Sequence, residues 1–206
     1  ALVSGAAVLR GQEVSEGGSP YQVFRDVLRW LLLLTEPLDA EASVLKSLVP
    51  DIEALLDRPV PEAEEIEPDA AQARLVSAVE ALLRRLSQPV LIVLEDLHWT
   101  RSASLKLLSR ITTTLAEADL PVLLVASYRD DERPELPGLL PKMKTLKLDR
   151  LTREGIAVLS ESMIGPSGGQ PELVSRLARE TEGNPFFLVE VVRALAEEAG
   201  ALARVG

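Results

Sequence analysis

Two stretches of the chain are apolar without interruption. Pro89 is followed by Val90-Leu91-Ile92-Val93-Leu94, and Pro121 by Val122-Leu123-Leu124-Val125-Ala126. Runs of this kind, lacking alternation, predict strands covered on both faces, as in parallel α/β sheets. Between them, Leu105, Leu108, Ile111 and Leu115 recur at helical spacing, and the segment is long enough for a crossover connection. A right-handed β-α-β unit is the expected product. Upstream, Ala6 to Leu9 predicts a short strand, with Gly11 and the Gly17-Gly18-Ser19-Pro20 cluster punctuating the loop that follows. A fourth short strand is expected around Thr145 to Leu148.

The remaining periodicity is helical. Tyr21 to Leu34 is apolar-rich and free of Gly and Pro, which predicts a helix, and two shorter ones are expected at Ala40 to Leu48 and Asp51 to Leu56. Arg58 to Pro68 combines Pro59, Pro61 and Pro68 with Glu62, Glu64, Glu65 and Glu67. Prolines break regular structure and like charges repel, so this is an exposed loop. Asp69 has the character of a helix N-cap, with Gln72 at capping-box spacing. Leu75, Val79, Leu82 and Leu86 then give that helix one buried face. From Thr152 onward only helices are expected, near Thr152 to Met163, Pro171 to Glu182 and Pro185 to Ala199. The chain thus divides into an α/β core, residues 1–150, and a small helical subdomain, residues 151–206.

Composition narrows the class. The chain has 206 residues, 47% hydrophobic and 26% charged, which is a globular profile. With 32 acidic against 22 basic residues the formal charge is −10, which argues against direct binding to nucleic acid or to an anionic membrane surface. No cysteine is present, so disulfides, thiolate metal sites and cysteine nucleophiles are excluded. The longest apolar runs, Trp30 to Leu34 among them, fall far short of the roughly 18 residues a membrane span needs. No basic segment precedes an apolar stretch at the N-terminus, so a signal peptide is not expected. A cytoplasmic fragment of a longer protein fits these features.

Ligands of open parallel α/β sheets sit outside the carboxyl ends of the strands. The two apolar runs end in Glu95-Asp96 and in Ser127-Tyr128-Arg129. Two acids and an Arg are therefore expected on one rim, where carboxylates hold Mg²⁺ and orient water while Arg neutralises phosphate. Polar residues that merely mark strand exits are the structural alternative. His98 is the only histidine and lacks a ligand partner at metal spacing, so a turn role is expected of it. Asp130, Asp131 and Glu132 fit a solvated charge run.

The segment Val90-Leu91-Ile92-Val93-Leu94-Glu95-Asp96-Leu97-His98-Trp99 resembles the Walker B segment of the AAA-like domains of the STAND class. Such domains occur in bacterial regulators beside LuxR-type DNA-binding, Ser/Thr kinase or nucleotide-cyclase modules. Ser102-Ala103-Ser104-Leu105 continues the similarity. Ser127-Tyr128-Arg129-Asp130-Asp131-Glu132 is similar to the sensor segment, Gly183-Asn184-Pro185-Phe186-Phe187-Leu188-Val189-Glu190 to the Gly-x-Pro segment of the helical lid, and Ser19-Pro20-Tyr21-Gln22 to an earlier stretch. The resemblance implies an incomplete P-loop-type three-layer sheet, mostly parallel, followed by an all-helical lid. It implies ATP and Mg²⁺ as cofactors in the intact parent. Glu95 would take the magnesium side together with Asp96, and Asp96 would polarise water as the catalytic acid. Arg129 would sense the γ-phosphate, Ser127 and Asn184 would help bind the cofactor, and Pro185 would pack near the adenine. The sequence departs from the family at Glu95 and Arg101, both usually Asp. The structural alternative for Gly183-Asn184-Pro185 is a helix junction in which Gly ends one helix, Asn caps the next and Pro opens it. Leu188, Val191, Val192 and Leu195 form an ordinary core stripe.

A phosphate-gripping loop requires Gly-x-x-x-x-Gly-Lys followed by Ser or Thr. None of the five lysines, Lys46, Lys106, Lys142, Lys144 and Lys147, follows a glycine. The resemblance places that loop, and a central strand before it, upstream of Ala1. An unpaired sheet edge and an uncovered apolar face should result, relieved by rearrangement or by pairing with a second copy. The isolated chain is expected not to hydrolyse ATP. In the parent, ATP and ADP states would move the lid and control a covalently linked output domain. Two competing expectations are a protein-interaction scaffold that never binds nucleotide and, more weakly, a hydrolase using Asp96 and His98.

Overall fold

The computed structural model describes residues 5–16 and 18–202; Gly17 of the predicted loop cluster lies outside them. By internal contacts the chain divides into two compact units, Ala1–Thr145 and Leu146–Gly206.

The first unit is built on a three-stranded parallel sheet in the order β1 (Ala7–Gln12), β2 (Val90–Glu95), β3 (Val122–Ala126). In register, Leu9 pairs with Ile92 and Gly11 with Leu94, while Ile92 pairs with Leu124 on the other side. The first strand runs three residues beyond its expected end and includes Gly11. A Cβ there would stand 1.8 Å from the carbonyl oxygen of Val23. That glycine lets the 3-10 turn Gln22–Phe24 sit directly on the strand, a close-approach role rather than loop punctuation.

The helix expected from Tyr21 begins later. Tyr21 is left-handed (φ 64°), the 3-10 turn follows, and α1 spans Arg25–Thr35. Two short helices come next, α2 (Asp39–Leu45) and α3 (Ile52–Leu56). The proline-rich loop is tied down as well as exposed. Lys46 Nζ lies 2.6 Å from a Glu62 carboxylate oxygen and 3.0 Å from the Val60 carbonyl, and Arg74 pairs with Glu64 at 3.1 Å. Helix α4 (Pro68–Arg84) starts at the proline, with Glu67 at the N-cap, so Asp69 lies inside the first turn and is not the cap. Proline suits that position because its missing N–H has no intrahelical partner there anyway. Leu75, Val79, Leu82 and Leu86 are all buried, as their spacing predicts. Glu41 joins two helices: one oxygen accepts the Leu38 N–H at the start of α2, and the other pairs with Arg85 at the end of α4.

Helix α5 (Ser102–Glu117) connects β2 to β3, giving the parallel crossover. One row of the sheet, with Leu9, Val90, Ile92 and Leu94 buried and Ala7, Val122, Leu124 and Ala126 partly buried, joins a continuous core with α1, α4 and α5. The opposite row has a different fate. Leu123 and Val125 are 62% and 46% exposed, and Val8, Leu91 and Val93 are half-buried outside that core. The expectation of strands covered on both faces therefore holds for one face only. Rearrangement does not close the sheet either, since among the described residues β3 remains an edge. After β3 comes a single turn, α6 (Leu136–Leu139). The expected strand at Thr145 to Leu148 does not form; Leu146 and Leu148 are exposed in irregular chain.

The second unit contains α7 (Arg153–Ile164), α8 (Pro171–Thr181) and α9 (Pro185–Leu202). Thr152 caps α7 by accepting the Gly155 N–H at 3.2 Å. Ile156, Val174, Leu177, Leu188 and Val192 form its core, with Val191 and Leu195 partly buried against it. The architecture is thus α/β, an incomplete P-loop-type sheet followed by a helical unit.

Candidate functional site

Parallel strands deliver their carboxyl ends to one rim, and here the backbone ladder continues past the strands to join them. Glu13 N–H donates to the Glu95 carbonyl at 3.1 Å, Ser127 N–H to Leu94 at 2.9 Å, and Leu97 N–H to Ser127 at 2.9 Å. Asp96 leaves β2 in a left-handed conformation (φ 61°, ψ 40°), which turns the chain sharply into a 3-10 turn, Leu97–Trp99. A non-glycine residue held in this region stores backbone strain, and such strain concentrates at functional sites.

Side chains bind the rim further. Gln12 Nε2 donates to Asp96 Oδ2 at 2.8 Å, fixing the carboxylate from the neighbouring strand. The Asp96 N–H points to Ser127 Oγ at 3.4 Å. Arg129 donates to Glu132 Oε1 at 2.8 Å, and Glu132 Oε2 lies 3.6 Å from His98 Nε2. The His98 side chain is 1% exposed, tilted against Trp99 with ring centroids 4.5 Å apart, and neither ring nitrogen has a hydrogen-bond partner. Leaving buried polar atoms unpaired costs about 1–3 kcal/mol each. Next to Glu132, Arg133 reaches the carbonyls of Leu97, His98 and Thr100, the last at 2.5 Å. The segment after β3 thereby grips the turn after Asp96 by both backbone and side chain.

At the end of β1, Glu13 continues the covered row of the sheet and is 4% exposed. Burial pushes its carboxyl above the ordinary glutamate range, while hydrogen bonding from Val14 and the charge of Arg101 pull it down. A buried acid with a raised pKa on a strand-end rim is a functional-site candidate.

A family model described as AAA ATPase domain matches residues 1–125. The chain belongs to the AAA ATPase domain family. A second model, described as a domain of unknown function, matches residues 153–199. No curated protein and no solved structure matches the chain.

An AAA ATPase domain is an ATPase-type module, and such domains in general use a nucleotide with Mg²⁺. The rim offers hard oxygen donors suited to that metal: the Glu95 and Asp96 carboxylates and the Ser127 hydroxyl. Among the described residues no group of three His, Cys, Asp or Glu side chains is placed to hold a metal ion. Oxygen donors of this kind suit Mg²⁺ held by one or two carboxylates plus substrate phosphates, not an all-protein cage.

Of the residues singled out from sequence, Asp96 and Ser127 are joined at the rim, Glu95 stands in register with Gln12, and Arg129 pairs with Glu132. Asn184 and Pro185 lie in the helical unit, where they begin α9. Asn184 Oδ1 accepts the Phe186 N–H at 3.0 Å and its carbonyl accepts the Leu188 N–H at 3.0 Å, the helix-start role foreseen as their structural alternative. Gly183 (φ 74°) could not carry a Cβ, which would meet the Leu151 carbonyl oxygen at 2.4 Å. Glu132 is not part of a merely solvated charge run, because it faces both Arg129 and His98. Gln12 and Glu13 escaped sequence reasoning; their one signal is that they are the first polar pair after a short apolar strand. No helix among the described residues is long and apolar enough to cross a membrane.

Proposed function

We propose that this AAA ATPase domain works as a nucleotide-dependent switch of the STAND type in a larger cytoplasmic regulator, with ATP and ADP states acting on a covalently linked output domain. Its support is the convergence of Gln12, Asp96 and Ser127 on the rim that follows the parallel strands, where α/β sheets place their ligands. In this assignment Asp96, oriented by Gln12, polarises the attacking water. Glu95 and Asp96 hold Mg²⁺ through its waters, Ser127 adds a hydroxyl, and Arg129 meets the γ-phosphate. Bound Mg²⁺ would neutralise charge developing on the phosphates. For Asn184 and Pro185, contact with the nucleotide is proposed from the resemblance alone.

No lysine in the chain follows a glycine, so the backbone cradle and lysine of a Gly-Lys-Ser/Thr loop are not among these residues. Phosphate release from Mg·ATP by the 206-residue chain is therefore expected to equal the protein-free blank. A longer form bearing such a loop is expected to turn over, and Asp96→Asn in it should lower kcat by about 10²–10⁴-fold. Turnover by the shorter chain that disappears on Asp96→Asn would refute the first statement. Full activity of the longer Asp96→Asn variant would remove Asp96 from the water-polarising role.

A second proposal, favoured by the exposed Leu123 and Val125, is an interaction role in which the β3 edge pairs with a second copy of the chain. Sedimentation equilibrium distinguishes it. A dimer that dissociates on Val125→Lys supports pairing, and a monomer at all concentrations opposes it.

A further inference from the structure

We propose that Glu132 is a positioning residue shared between Arg129 and His98, so that drawing Arg129 away hands Glu132 to the buried imidazole and pulls on the turn that begins at Asp96. The proposal rests on the assignment of Arg129 to an anionic phosphate and adds to it the route by which the occupied state of Arg129 reaches the acidic rim.

Three observations carry it. The carboxylate of Glu132 is divided: Oε1 accepts from Arg129 at 2.8 Å, and Oε2 stands 3.6 Å from His98 Nε2, just beyond hydrogen-bonding distance. The two claims on it are unequal. The Arg129–Glu132 pair is an i,i+3 ion pair with its guanidinium side chain 66% exposed, a class of contact that water and salt weaken. The imidazole is buried with both nitrogens unpaired, so a hydrogen bond from its N–H would satisfy a polar atom that water does not reach. With Oε1 on Arg129, Oε2 stops at 3.6 Å and His98 Nε2 has no hydrogen-bond partner.

The third observation is mechanical. Glu132 is followed by Arg133, whose guanidinium reaches the carbonyls of Leu97, His98 and Thr100. His98 sits two residues after Asp96, in the turn whose N–H groups also meet Ser127. A shift of Glu132 toward His98 acts on the backbone that sets the direction of the Asp96 carboxylate. An anion at Arg129 and the geometry at Asp96 are thereby coupled through two adjacent side chains, without movement of the strands.

Because His98 is the only histidine, its ring nitrogens give a single, unambiguous set of ¹⁵N resonances. The experiment is imidazole ¹⁵N NMR at one fixed pH on the wild type, Arg129→Gln, Glu132→Gln and the double variant, with amide spectra confirming that each is folded. Arg129 is exposed, so its replacement leaves the core untouched. In ligand-free Arg129→Gln, the Nε2 resonance is expected to move toward that of a nitrogen bearing a hydrogen-bonded proton. The double variant is expected to lose that shift, which a purely structural effect of removing Arg129 would retain. An unshifted Nε2 in Arg129→Gln, or the same shift in the double variant, overturns the proposal. Inorganic tripolyphosphate is then added to the wild type. A matching Nε2 shift supports both the relay and the phosphate assignment of Arg129. A shift in Arg129→Gln without one on adding tripolyphosphate, both to the 206-residue chain and to the longer form bearing a Gly-Lys-Ser/Thr loop, upholds the relay and counts against the phosphate assignment alone.

Discussion

The two faces of the parallel sheet carry side chains of the same kind and meet opposite fates. On one, Leu9, Val90, Ile92 and Leu94 join α1, α4 and α5 in a continuous core. On the other, Leu123 and Val125 face outward and Val8, Leu91 and Val93 are half-covered. Apolar content is therefore no measure of burial here. The difference is which row the helices pack against, and it gives that row the larger share of the sheet's own apolar burial, where burying a Leu or Ile is worth about 1.5–3 kcal/mol.

The comparison can be broken or sharpened by substitution. Leu94→Ala, in the fully buried row, is expected to cost about 2–5 kcal/mol, read as a shift of the denaturant midpoint. A cost near zero would mean that the helices do not close on this face. Gly11→Ala should follow, at about 1–3 kcal/mol, because its Cβ would overlap the Val23 carbonyl and push the 3-10 turn off the strand.

Glu13 ends the covered row, and its titration reports how well that row is sealed. Burial raises its folded pKa, so the unfolded chain ionises first as pH rises. Stability from this group is complete below the ordinary Glu value of about 4.3 and is lost as pH rises through the folded value. Glu13→Gln should remove that decline from the stability–pH curve. An unchanged curve would show that the Glu13 carboxyl ionises in contact with water. The smallest effect belongs to the open row: Leu123→Thr should change stability by no more than about 0.5 kcal/mol. A loss approaching that of Leu94→Ala, growing with protein concentration, would show that a second chain covers this face.

The same contrast separates what could be read in the site from what could not. The strand-end positions of Glu95, Asp96 and Ser127 were legible because these residues end unbroken apolar runs, and parallel strands bring such ends to one rim. Gln12 was not, because its partner Asp96 lies 84 positions away and nothing local marks the pair. Glu132 is exposed, as its charge run predicts, but nothing local marks its approach to His98. For Asn184 and Pro185 the local pattern already contained the helix start that the structure displays.

Local periodicity determined the strands at Val90–Glu95 and Val122–Ala126, the crossover helix between them, the buried stripe of α4 and the all-helical texture after Thr152. These depend on spacing within a few residues, which the chain carries in itself. The absence of a strand at Thr145 to Leu148, which of the two sheet faces stays open, the hydrogen bond joining Gln12 to Asp96 and the approach of Glu132 to His98 were decided by tertiary structure. Each depends on whether a distant segment arrives to cover a face or accept a hydrogen bond, and hydrophobic pattern records the capacity for such a contact without recording its partner.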